Sequence, residues 1–112
     1  MTTKSGWAVG FFSNSVYRDM QKLPESVQEE FDAVRKKIED EGPHRVPSHY
    51  KKHLKGEDGL WELRLRRRGT NVRAIYVKQV RKRLIILVVF EKKSQGIPKH
   101  ILQLARQRAK QV

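Results

Sequence analysis

Apolar residues recur along this chain with two periods, and the change of period separates a helical front from a strand-rich back. Trp7 to Phe12 is a short apolar run and predicts a first strand. Ser13 or Asn14 can cap a helix after it, since a side-chain oxygen there accepts a free N–H of the first turn. Val16, Met20 and Leu23 at helical spacing predict a short helix over residues 13–23. Pro24 suits the first position of a second helix. Val27, Phe31, Val34 and Ile38 then recur in steps of four, three and four, one stripe on a helix over residues 24–41. Gly42 and Pro43 end it. The two helices read as a hairpin covering one side of a sheet.

Residues 44–59 contain Pro47 and many polar side chains and read as a loop. Three strands follow, over residues 60–67, 72–79 and 84–91. The segments Arg68-Gly69-Thr70-Asn71 and Val80-Arg81-Lys82-Arg83 are short enough for hairpin turns, so these strands are expected to be antiparallel. Leu84 to Phe90 is apolar at every position, which suits a central strand covered on both faces. Gly96-Ile97-Pro98 opens a last helix with Ile101, Leu104, Ala105 and Arg108 inward and Lys99, Arg106 and Lys110 outside. The predicted order is β-α-α-β-β-β-α, an α+β fold with a small antiparallel sheet, and residues 1–112 read as one domain.

Charge changes the picture of the back half. The net charge is +13, and it is segregated. Residues 1–43 carry net −2, residues 44–83 net +10 and residues 84–112 net +5. Such asymmetry is the electrostatic footprint of a nucleic-acid or acidic-protein partner. The chain has no cysteine, which removes disulfides, thiolate metal sites and cysteine nucleophiles. No apolar run approaches the roughly 18 residues a membrane span needs. The start of the chain lacks the apolar core of a signal peptide. A cytoplasmic protein with no membrane association is the expectation.

Strand alternation puts Trp61, Leu63 and Leu65 on one face and Glu62, Arg64 and Arg66 on the other. With helices over the Trp61 face, the Glu62 face is expected to be open and concave. Arg73 on the next strand falls on the parity opposite to Val72, Ala74 and Tyr76 and could sit beside Arg64. Lys92 and Lys93 end the last strand, and strand ends beside loops often carry function. Clustered guanidinium and ammonium groups can hold phosphates. They can equally stabilise the charge that develops when a 2′-hydroxyl attacks its neighbouring phosphorus. A general base would require a lysine of depressed pKa among other cations, Glu62, or a histidine. His44, His49 and His53 lie in the basic segment. His49 and His53 have i,i+4 spacing but no third ligand nearby, so no metal and no cofactor is expected. Trp61 and Tyr76 read as core, and Tyr50 as the better stacking candidate.

The motifs Leu54-Lys55-Gly56, Leu60-Trp61-Glu62-Leu63-Arg64, Arg73-Ala74-Ile75-Tyr76 and Phe90-Glu91-Lys92-Lys93, with Pro98 before the last helix, resemble the RelE/ParE superfamily of toxins, in its HigB-like, phage-derived branch. The resemblance implies a ribosome-dependent endoribonuclease that cuts messenger RNA by metal-independent 2′-hydroxyl attack. It carries catalytic positions onto Arg64, Arg73 and Lys93, with Lys92 beside the last. Lys51, Lys52, Lys55, Arg66, Arg67 and Arg68 would hold RNA. A tyrosine that some nuclease members carry further on is absent near Lys99, and Glu62 stands where RelE has a lysine. The implied partners are the ribosome, its messenger RNA and a cognate antitoxin, often a helix-turn-helix DNA-binding protein. A ParE-like toxin that inhibits gyrase and a non-catalytic RNA- or ribosome-binding module are the competing expectations.

Overall fold

The computed structural model describes residues 3–67, 69–79, 81–93 and 95–112. Among the described residues, five strands and three helices form an α+β fold: β1 (Ala8–Phe11), α1 (Asn14–Gln21), α2 (Glu25–Glu41), β2 (Lys51–His53), β3 (Trp61–Arg67), β4 (Thr70–Gln79), β5 (Arg83–Glu91) and α3 (Lys99–Ala109). Short 3-10 turns at Pro43–Arg45 and Ser48–Tyr50 lie between α2 and β2. The sheet order is β1-β5-β4-β3-β2, with β1 parallel to β5 and the other pairs antiparallel.

The helical hairpin follows its sequence signals. The Ser13 hydroxyl accepts the Val16 N–H at 3.4 Å and caps α1. The α2 stripe of Val27, Phe31, Val34 and Ile38 is buried. Gly42 ends that helix at φ +94°, in the left-handed region, and a side chain there would meet the His44 ring at 3.0 Å. The hairpin packs on Leu63, Leu65, Val72, Ala74, Tyr76, Leu84 and Ile86. The opposite face holds a second core of Leu60, Ile75, Ile85, Leu87 and Val88 under Ala105 of α3.

Three expectations are corrected. Residues 44–59 contain a strand: β2 pairs Lys51 with Leu63, Lys52 with Glu62 and His53 with Trp61. Backbone pairing holds it without an apolar alternation of its own. The middle of the sheet is β4, whereas β5 lies between β4 and β1. The Glu62 face is not open along its length, because α3 covers its β4–β5 half and Glu62 itself is buried.

The β4–β5 ladder contains a bulge that decides the direction of everything after it. Ile75 pairs with Val88 and Tyr76 with Ile86, which leaves Leu87 over. Leu87 and Val88 therefore both turn into the α3 core, and the parity of β5 flips. The Leu87 carbonyl accepts a hydrogen bond from the Arg108 guanidinium at 2.6 Å, and that guanidinium also lies over the Phe12 ring. The bulge and the C-terminal helix are thus tied together.

Candidate functional site

The uncovered half of the α3 face is a cationic cleft. Its volume is about 280 Å³, and its walls include Lys52 of β2, Lys55, Arg64 of β3, Lys92 after β5, and Gln95 and Ile97 before α3. Pairing builds it. Lys52 stands opposite Glu62, and Arg64 stands opposite Arg73, the juxtaposition strand parity anticipated. Side chains directly opposite on one sheet face lie roughly 5 Å apart at Cβ, so these pairs share one patch.

The bulge selects which of two adjacent lysines enters. Without the extra residue, Lys93 would share the face of Arg64. With it, Val88, Phe90 and Lys92 take that side. The Lys92 N–H bonds the Asn71 carbonyl at 2.8 Å, continuing the ladder past the end of β5. Lys92 is half-buried in the cleft wall, whereas Lys93 is exposed and not part of that wall.

Beneath the cleft lies a buried carboxylate with two arginines. The Nε of Arg64 donates to Oε1 of Glu62 at 3.0 Å, and the Nε of Arg73 lies 3.6 Å from the same oxygen. The Arg64 side chain is 30% exposed, but those of Arg73 and Glu62 are only 4% and 3% exposed. Arg73 therefore lies behind Glu62 and does not itself line the cleft. Burial pulls its pKa below the ordinary arginine value, and Glu62 opposes that shift.

The remaining basic candidates lie elsewhere. Lys51 is on the other sheet face, half-buried, with Nζ donating to the Pro43 carbonyl at 3.0 Å. Burial, with nearby Lys78, lowers its pKa. Arg67 pairs with Glu30 of α2 at 2.8 Å, and the other oxygen of Glu30 accepts the Arg66 N–H at 2.8 Å. Glu30 thus caps the edge of β3 where β2 does not reach. Arg66 is exposed and lines a second hollow with Glu30, His49 and Tyr50, and Arg64 lines both that hollow and the cleft. Arg68 lies outside the described residues. Tyr76 is core, and burial pushes its pKa up to about 12. Trp61 is only half-buried, with Lys78 Nζ 4.4 Å over its ring and His53 at its edge. Among the described residues, no three His, Asp or Glu side chains converge to hold a metal ion.

Sequence parity had put Glu62 on the cleft face but gave no sign of its depth, which comes from β2 and α3. It also missed Gln95, a neutral loop residue without a distinguishing signal. Glu57, from the β2–β3 loop, reaches the cleft margin and accepts two hydrogen bonds from the Arg106 guanidinium, so it fastens α3 over the loop.

Residues 18–110 match the family described as phage-derived protein Gp49-like (DUF891). The chain belongs to that family. Its fold is that of the RelE toxins. E. coli toxin RelE, solved in the free state as an arginine-to-alanine double mutant, superposes with a TM-score of 0.65 at 16% identity, over 91% of this chain and 96% of that one. The archaeal RelE of the RelE–RelB complex from Pyrococcus horikoshii OT3 superposes with a TM-score of 0.57 at 24% identity, over 80% of this chain and 98% of that one. No curated protein matches the sequence. No described helix is long and apolar enough to cross a membrane.

Proposed function

We propose that this chain is the toxin of a toxin–antitoxin pair and an endoribonuclease that cuts messenger RNA on the ribosome. The single observation that carries the reading is the cleft in which Lys52, Arg64 and Lys92 converge, with buried Arg73 paired across from Arg64, on a RelE-like fold. RNA brings its own nucleophile. The 2′-hydroxyl attacks the adjacent phosphorus, its proton leaves to a base, and the 5′-oxygen departs with a proton. The products are a 2′,3′-cyclic phosphate and a 5′-hydroxyl end. The phosphorane oxygens gain charge in that step, and preorganised cations lower the barrier most where charge develops.

In this reading Arg64 and Lys92 contact the phosphoryl oxygens. Arg73 supports them from behind Glu62, and Lys52 and Lys55 hold the flanking backbone. Exposed Lys93 and Arg66 extend the surface towards RNA outside the cleft. A cognate antitoxin and a cytoplasmic setting belong to the same proposal, in keeping with the archaeal RelE that was solved in complex with RelB.

The test is to induce the chain alone in cells and map transcripts. Growth arrest, with messenger RNA cut inside codons on ribosomes, is expected. Intact transcripts with gyrase-linked DNA damage would assign the chain to the gyrase-inhibiting class. Salt-sensitive RNA binding without toxicity would make it a binding module.

A further inference from the structure

A carboxylate at the floor of a phosphate site is out of place electrostatically. It repels the ligand the cleft is built for, and its burial is costly unless cations compensate it. Glu62 is held by two of them through one oxygen. The two arginines differ in what they have left to offer. Arg73 is nearly sealed, and its Nε has no hydrogen-bond partner among the described residues. One of its terminal nitrogens reaches only the neighbouring Val72 carbonyl, at 3.4 Å. Arg64 is tethered by its Nε and remains partly exposed in the cleft wall.

A guanidinium has five donors in a rigid plane. With the Nε edge taken by Glu62, the rotation of the Arg64 plane is restrained, while its remaining donors have no hydrogen-bond partner among the described residues. We propose that Glu62 is a positioning residue: it holds Arg64 by the Nε edge so that the remaining guanidinium donors present to a phosphodiester, with Arg73 as the buried counter-cation that lets a carboxylate sit there. The proposal rests on the nuclease reading for its catalytic consequence, but the tether itself does not.

Glu62→Gln keeps the shape and one acceptor oxygen but removes the charge. Binding of a single-stranded 2′-deoxy oligonucleotide, which cannot be cleaved, should stay level or tighten, because the cleft loses the opposing charge nearest Arg64. Turnover on ribosome-bound messenger RNA should fall about tenfold or more, because a loosened arginine no longer meets the developing charge in register. Opposite movement of affinity and kcat is the signature of positioning. Weaker binding in step with a lowered Tm, or an unchanged kcat with unchanged binding, would overturn it. A lost limb of the pH–rate profile would show a base instead.

A measurement on the unmutated protein stands apart from cleavage and from the folding of the variant. Hydrogen exchange at the Arg64 Nε–H should be slowed about tenfold or more relative to exposed Arg66, as for a protected donor. Equal exchange at the two positions would refute the tether. If the wild type cleaves nothing, the nuclease reading fails while exchange and oligonucleotide binding still judge Glu62.

Discussion

On one face of the sheet the α1–α2 hairpin meets an apolar layer running from β1 to β3. On the other, α3 covers β4 and β5 and leaves β2, β3 and the end of β5 to charged side chains. The first face solves a packing problem with Leu65, Val72, Ala74 and Ile86, all fully buried. The second is half finished as a core, and the unfinished half concentrates Lys52, Arg64, Arg73 and Lys92 around one carboxylate. The difference teaches that a small sheet can assign stability to one face and ligand binding to the other, with strand parity deciding which residue serves which.

The largest expected effect tests the hairpin face as a pure packing layer. Leu65→Ala removes a fully buried side chain and should cost about 2–5 kcal/mol of stability in denaturant titrations, while cleavage per folded molecule stays unchanged. A loss of specific activity in the folded fraction would mean that the two faces are not separable.

The bulge offers a smaller and more pointed contrast between neighbours. Lys92→Ala should slow messenger RNA cleavage about tenfold or more, and Lys93→Ala should leave it within about threefold. The reverse order in a time course would show that the parity flip at Leu87 does not carry the site.

The smallest effect concerns the strap over the unfinished face. The Arg106 guanidinium holds the Glu57 carboxyl below its ordinary pKa. A carboxylate depressed in the folded state contributes stability that is present above its unfolded pKa and lost as pH falls through the folded one. Amide protection factors in α3, which correct for the intrinsic slowing of exchange in acid, should therefore fall modestly as pH drops from about 5 to about 3, less so in high salt because Arg106 is exposed. Glu57→Gln should remove that step, and an identical pH response in the variant would assign it to other groups.

The strands and helices with strong periodicity were legible in the sequence because burial on one side forces a pattern. Val27, Phe31, Val34 and Ile38 announce α2, and the Trp61–Leu65 alternation announces β3. Strand β2 was hidden, since Lys51, Lys52 and His53 owe their conformation to Trp61, Glu62 and Leu63 across the ladder. The bulge was hidden for a different reason. Leu84 to Phe90 is apolar on both faces, so a one-residue slip leaves the pattern unchanged while reversing Lys92 and Lys93. The pairing of Arg64 with Arg73 was anticipated from parity. The depth of Glu62 was not, because it depends on elements distant in the chain.

Arg64 and Arg67 provide the most direct test, because they lie on the same strand three residues apart. One lines the cleft and the other is tied to Glu30 at the helical side. In a single ribosome-bound messenger RNA cleavage assay, Arg64→Ala should lower the rate about 100-fold or more, and Arg67→Ala should leave it within about threefold. Equal losses in the two variants, or an Arg64→Ala rate within about twofold of wild type, would contradict the assignment of chemistry to the unfinished face.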